Sequence, residues 1–274
     1  MNGLMVIKIG GGEGIELEPI LHEVAELVHA GQRVVLVHGG SHETNELAAQ
    51  LGHAPRWITS PSGHTSRRTD RRTLEIFEMV YCGKVNKGIV ETLRARAVDA
   101  VGLSGIDGGI WLGERKNAIR SIEDGRTVII RDDLTGAVKS VDRSFLSLIL
   151  DAGRTPVLTP PAVTSDGVAI NVDADRAAAR TAAALNADEL LLLSNVPGVL
   201  ADPNDRSTLI RSTHGAGLQR IREAATGRMK NKVLAAEEAI DGGVRRAVIG
   251  SANGQNAIAR ARQGAGTVFE GAFA

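Results

Sequence analysis

Lys8 stands inside an otherwise apolar run, Leu4-Met5-Val6-Ile7-Lys8-Ile9, two residues before Gly10-Gly11-Gly12. A lysine buried in such a strand is costly unless it is paired. The plain alternative is a side chain that leaves the strand end for solvent. Buried and fixed, it is a positive charge suited to a phosphoryl group. The glycines beside it let backbone come close to a phosphate, and free N–H groups at a helix start attract anions. A second cluster, Gly39-Gly40, follows the apolar run Val34-Val35-Leu36-Val37. Taken alone, each cluster is equally well explained as a tight strand-to-helix turn. Neither is a Walker A loop, because no Gly-Lys-Ser/Thr follows, and neither has the spacing of a dinucleotide fingerprint.

Three further stretches carry chemically useful side chains. Asn171-Val172-Asp173-Ala174-Asp175 lies between a strand and a helix. Helix capping accounts for one acid there, but less well for three alternating polar residues. Gly227-Arg228-Met229-Lys230-Asn231-Lys232 precedes an amphipathic helix, and its lysines read in isolation as solvated. Arg67, Arg68, Arg71 and Arg72 fall within six residues. Most of that cluster reads as an exposed helix start, although one arginine could form a forked pair with a substrate carboxylate. Other chemistries find no support. The seven histidines lack metal-ligand spacing, and His38 and His42 are four apart without the His-Glu-x-x-His order, so no metal ligand set is expected. No Gly-x-Ser-x-Gly elbow is present. Cys82 sits in a helical stretch and reads as packing.

The elements that must position these residues alternate along the chain. Strands are expected at 4–9, 33–38, 97–103, 156–158, 189–194, 247–250 and 266–269. Helices are expected at 17–30, 41–51 with Ser41 as its cap, 69–96 with a break near Gly83, 142–152, 173–185, 230–241 and 255–262. Residues 52–67 and 104–141 read as loops, hairpins and short polar strands. Alternation implies right-handed crossovers and a three-layer α/β/α sandwich with a mainly parallel central sheet. The 43% hydrophobic content with only 3% aromatics suits such a core of aliphatic strands and helices. A chain of 274 residues is long for one domain and short for two, so two lobes are expected, residues 1–186 and 187–274. In sheets of this kind ligands gather where strands end and helices begin.

Thirty-two basic residues balance thirty-two acidic ones, and aromatics are few, which argues against nucleic acid as a partner. No apolar run has membrane-spanning length, and the N-terminus shows no signal-peptide pattern, so no membrane partner is expected. With a single cysteine, the chain is expected in the cytoplasm.

Taken in order, the motifs resemble those of the amino acid kinase family, over nearly the whole chain. Lys8 with Gly10-Gly11 resembles its N-terminal Lys-x-Gly-Gly, and His38-Gly39-Gly40-Ser41 its second glycine loop, with Ser41 where a third glycine is usual. Gly63 and Arg67 are similar to the pair that holds the substrate carboxylate. Asn171 and Asp175 match an Asn-x-x-x-Asp segment, Lys232 the lysine after Gly-x-Met, and Ser194-Asn195-Val196-Pro197-Gly198-Val199 the nucleotide-side loop, where many relatives have Asp in place of Asn195. The wide spacing of Gly63 and Arg67, with Leu74 through Gly83, Val101 through Gly105 and Gly227 through Lys230, resembles the branch of bacterial lysine synthesis that works on 2-aminoadipate attached to a small acidic amino-group carrier protein.

The resemblance implies ATP with Mg²⁺, and catalysis by Lys8, Lys232 and Asp175. Gly39, Gly40, Gly63, Arg67 and Asn171 would bind substrate. Lys8, Gly10, Gly11, Ser194, Asn195, Gly198 and Lys232 would bind the phosphates and nucleotide. It also implies a homodimer, with acceptor binding in the N-terminal lobe and ATP binding in the C-terminal one. Carrier-bound glutamate is a second acceptor it allows. Free N-acetylglutamate as acceptor, and a non-catalytic nucleotide sensor on the same fold, are the alternatives.

Overall fold

The computed structural model describes residues 3–60, 65–123, 126–214 and 216–271. In chain order the elements are β1 (Leu4–Ile9), α1 (Leu17–His29), β2 (Arg33–His38), α2 (Ser41–Gln50), β3 (Trp57–Thr59), β4 (Thr65–Arg67), α3 (Arg71–Glu78), a π-helical turn (Met79–Val85), α4 (Asn86–Arg94), β5 (Ala100–Ser104), β6 (Trp111–Arg115), β7 (Ile119–Glu123), β8 (Arg126–Ile130) and β9 (Gly136–Val141). They continue with α5 (Arg143–Asp151), β10 (Thr155–Thr159), β11 (Ala162–Thr164), β12 (Ala169–Ile170), α6 (Ala174–Ala184), β13 (Glu189–Ser194), α7 (Gly217–Ala224), α8 (Arg228–Asp241), β14 (Arg246–Ser251), α9 (Ala257–Arg262) and β15 (Thr267–Glu270).

Seven strands form one sheet in the order β15-β14-β13-β1-β2-β10-β5. Every pairing in it is parallel except β14 with the edge strand β15. The central strands are apolar without alternation because both faces are covered. Val6, Val35 and Leu192 pack into the layer that holds α6 and α8, while Ile7, Ile9 and Leu193 pack with α1, α4 and α9. Side chains alternate across a strand, so Lys8 points to the same face as Val6, toward α6 and α8. A four-stranded sheet, β12-β11-β6-β9, and two hairpins, β3–β4 and β7–β8, lie outside the main sheet. The expected lobe boundary separates the adjacent strands β13 and β1. No helix among the described residues is long and apolar enough to cross a membrane.

Three local expectations need correction. Ser41 does not cap α2; it is the helix's first residue, and its hydroxyl donates to the Gly11 carbonyl instead. The long helix is not broken near Gly83 but widened, into a seven-residue π-helical turn that joins α3 to α4. Helix α7 was not anticipated, because only Ile221 of its eight residues is buried and the apolar signal is correspondingly thin. Elsewhere the signals acted as expected. Asp142 and Asp173 cap α5 and α6, and Gly31 takes the left-handed φ of +82° that ends α1.

Candidate active site

Lys8 lies in β1 between Leu192 of β13 and Val37 of β2. Its ammonium is 2.7 Å from Asp175 Oδ1. Lys232, from the first turns of α8, donates to Asp175 Oδ2 at 2.8 Å. All three residues are buried, at 5%, 6% and 9% exposure for Lys8, Asp175 and Lys232, so water does little to screen them. Burial alone would raise the Asp175 pKa, but Lys232 and Lys8 together hold it well below the usual carboxylate range. Burial, with the neighbouring Lys232 charge, pushes the Lys8 ammonium below the usual lysine range, against the pull of Asp175. The result is a carboxylate fixed between two cations, carrying one net positive charge.

The helices that hold this cluster are tied together nearby. Asp173 Oδ1 accepts from the Arg176 N–H at 3.0 Å, and its other oxygen accepts from Asn231 Nδ2 at 2.8 Å. Arg176 reaches Glu238 with two hydrogen bonds, at 2.5 and 3.2 Å. Asp173 and Asn231 thus lock the start of α6 against the start of α8 and set the Lys232–Asp175 distance. The sequence marks both only as polar neighbours of the motif residues; their pairing across 58 positions has no local signal.

The two glycine loops meet in front of Lys8. A Cβ on Gly11 would stand 2.0 Å from Gly40 N and 2.3 Å from the Gly39 carbonyl carbon. No side chain fits there. The Gly11 carbonyl accepts from His42 N at 2.8 Å and Ser41 Oγ at 2.9 Å, and Gly10 N donates to the Leu193 carbonyl at 2.8 Å. The Gly11 N–H makes no hydrogen bond among the described residues, which leaves a donor at the cavity wall.

That cavity has a volume of about 730 Å³, within the usual size for small-molecule sites. Lys8, Asp175, Lys232, Gly10, Gly11, Gly39, Arg67, Asn171, Ser194, Asn195 and Gly198 all line it. Gly40 does not; it packs behind the wall, where a Cβ would be 3.0 Å from the Tyr81 ring. Gly63 lies outside the described residues.

At one side Arg67 extends from the β3–β4 hairpin. Its Nη2 donates to Asn45 Oδ1 at 2.6 Å, its guanidinium lies 5.6 Å from the Trp57 ring centroid, and its buried Nη1 has no partner. Asn171 Nδ2 donates to Thr69 Oγ1 at 3.2 Å. At the opposite side the Ser194 hydroxyl is buried without a partner, and Asn195 Nδ2 reaches the Glu13 carbonyl at 3.5 Å. Gly198 has φ +154° and no room for a Cβ beside Leu209 and Thr267. Tyr81 and Arg228 also line the wall, and neither was expected there from sequence. Cationic groups and unpaired donors thus face one cavity, an arrangement made for anions.

Fold and site together define the class: the chain belongs to the amino acid kinase family, whose model matches residues 3–251. Among curated relatives, the LysW-aminoadipate kinase of Deinococcus radiodurans is 54% identical over 265 residues, covering 97% of this chain and 91% of that one. The LysW-aminoadipate kinase of Thermus thermophilus is 48% identical over 270 residues, covering 97% and 99%. Among solved structures, N-acetylglutamate synthase from Neisseria gonorrhoeae, complexed with coenzyme A and N-acetyl-glutamate, superposes with a TM-score of 0.77 at 25% identity. The match takes in 98% of this chain but only 59% of the synthase.

Proposed function

We propose that this chain transfers the γ-phosphoryl of ATP to the distal carboxylate of 2-aminoadipate carried on a small acidic amino-group carrier protein, giving an acyl phosphate for lysine synthesis. The observation that carries the chemistry is the buried Lys8–Asp175–Lys232 cluster at the wall of a glycine-rich cavity. The acceptor is supported by the relatives at 54% and 48% identity, both named for it.

A carboxylate is ionised at neutral pH and needs no general base. The obstacle is the approach of one anion to another, so positioning and charge neutralisation supply the catalysis. An acceptor oxygen forms a bond to Pγ as the bond from Pγ to the β-bridging oxygen breaks, and ADP leaves. Lys8 and Lys232 face the charge that spreads over the transferring group. Asp175 fixes the two ammonium groups and accepts no proton, since its carboxyl is held far below neutral pH.

Gly11 N–H supplies a donor to an oxygen at the same point, as in an oxyanion hole. Gly39 and Gly40 shape the acceptor side, the resemblance adds Gly63 to the acceptor-binding set, and Arg67 and Asn171 hold the acceptor's α-carboxylate end, Arg67 keeping one nitrogen, Nη1, without a partner. Gly10, Ser194, Asn195 and Gly198 take the nucleotide phosphates. Mg²⁺ would enter with ATP and be held mainly by phosphate and water, because each Asp175 oxygen already faces an ammonium group and each Asp173 oxygen accepts from a helix N–H or an amide. On this reading the acceptor occupies the lobe of residues 1–186 and ATP that of residues 187–274, in a cytoplasmic homodimer.

Exposed Arg71 and Arg72, with half-buried Arg68, lie close in sequence to Arg67 and suit an acidic carrier. Arg68 is engaged by Asp132 and Arg72 by Glu75, which leaves Arg71 the most available of the three. Trapping with hydroxylamine tests the chemistry: with Mg-ATP and carrier-bound aminoadipate a hydroxamate should accumulate in step with ADP. ADP without hydroxamate would mean that the acceptor is not a carboxylate.

A further inference from the structure

We infer that His38 and Asn86 are positioning residues that orient the Gly39–Gly40 peptide for phosphoryl transfer. This inference rests on the reading of the cavity as a phosphoryl-transfer site.

His38 is the last residue of β2 and is 1% exposed. Its Nδ1 is 2.9 Å from the Gly39 carbonyl oxygen, and its Nε2 is 3.0 Å from Asn86 Nδ2. An amide nitrogen only donates, so Nε2 accepts and Nδ1 carries the proton, donating it to Gly39. The second Asn86 amide hydrogen goes to the Val157 carbonyl at 3.0 Å, and Asn86 Oδ1 accepts from Lys87 at 3.2 Å, which fixes the amide's orientation. Burial, aided by Lys8 and Lys87, lowers the His38 pKa to about 4, although the Gly39 hydrogen bond opposes it. The ring therefore stays neutral in this one tautomer at working pH.

A trans peptide points its C=O and N–H in opposite directions. Holding the Gly39 carbonyl toward His38 consequently turns the Gly40 N–H away from His38. Gly39 lines the cavity, while the Gly40 nitrogen abuts Gly11. The orientation of this peptide thus sets the contact between the two glycine loops.

The π-helical turn explains how Asn86 gets there. A π turn brings residues i and i+5 to one face, where an α-helix would not. Tyr81 and Asn86 are such a pair at the Met79–Val85 turn. Tyr81 packs under Gly40, its ring stacked on Phe77 with centroids 3.7 Å apart, while Asn86 meets His38. Both supports of the glycine loop thus come from one helix face.

The test uses the full chain with His38→Leu and His38→Asn, each matched to wild type by thermal melting. Leu removes the donor to Gly39; Asn places an amide N–H close to where Nδ1 stood. Misplacing a reacting group by about 1 Å costs roughly a hundredfold. We expect His38→Leu to lower kcat by about that factor with KM for ATP within about twofold, and His38→Asn to recover most of the loss. A kcat for His38→Leu within about threefold of wild type overturns the inference, as does equal impairment of the two variants. If the wild type turns over no carboxylate acceptor, the functional reading has failed, and the inference is then judged on the Gly40 amide nitrogen resonance in the ATP-bound protein. A wild-type position kept by His38→Asn and lost by His38→Leu supports it; one position in the wild type and both variants overturns it.

Discussion

Replacing Asp175 by Asn removes the charge between two buried ammonium groups and changes the side-chain volume little. At an effective dielectric constant near 20, each cation contributes about 6 kcal/mol of attraction at these separations. Desolvation offsets much of this, but deleting one partner leaves the others uncompensated, which costs about 3–5 kcal/mol. The pH dependence follows from the two shifts. Asp175 is held below its unfolded value, so its contribution is present above about pH 4 and is lost as pH falls through the folded value. Lys8 is also lowered, so between its folded and unfolded values the unfolded chain binds more protons, and stability rises with pH. Asp175 is the largest influence opposing burial at Lys8. Without it the Lys8 value falls further, and the window of rising stability extends to lower pH. Urea unfolding of wild type and Asp175→Asn from pH 6 to 9.5 should show a deficit of about 3–5 kcal/mol at pH 7 that shrinks as pH rises and levels off above the wild-type Lys8 value. A deficit below about 1 kcal/mol, or one independent of pH, would refute the claim that the cluster is a buried, coupled charge system.

Other perturbations probe separate parts of the site. Lys8→Ala should lower kcat at least about a hundredfold, the cost of losing one preorganised charge, while circular dichroism shows an intact fold. Near-normal turnover of that variant would remove Lys8 from the mechanism. Gly11→Ala drives a methyl into Gly40 N and should abolish measurable turnover by separating the glycine loops; an active Gly11→Ala enzyme would show that the loops need not touch. Arg67→Ala should raise KM for the acceptor by roughly 10- to 100-fold, from loss of a charged hydrogen bond, with KM for ATP unchanged in steady-state assays. Arg71→Ala should raise the carrier's KM and weaken its salt dependence, and unchanged kinetics would make that arginine a solvated surface group.

Much of the site was legible because single residues broke their local pattern. Lys8 interrupts a strand whose neighbours are buried aliphatics, and a buried cation demands a partner. Asn171 and Asp175 were legible as more polarity than a helix cap requires. Lys232 was not legible alone, since lysines at a helix start are ordinarily solvated; only its place in an ordered set of motifs gave it meaning. The parallel sheet followed from alternation, and β15 ran antiparallel at an edge where no pattern announces direction. What stayed hidden depends on register and distance. The His38–Asn86 contact spans 48 positions and needs a π turn that apolar periodicity does not reveal. Tyr81 reads as one more apolar residue of a helix, yet the same turn aims it at the glycine loop. Ser41 has the composition of a cap, but the helix begins one residue earlier than that role requires, with Gly40 at the cap, and the Ser41 hydroxyl donates to the Gly11 carbonyl.

The most direct measurement is kcat/KM by ADP release with Mg-ATP for three acceptors: carrier-bound aminoadipate, carrier-bound glutamate and free N-acetylglutamate. The account predicts turnover with carrier-bound aminoadipate and little or none with free N-acetylglutamate. Efficient phosphorylation of free N-acetylglutamate, with carrier-bound substrates inert, would contradict it and move the chain to a free small-molecule acceptor.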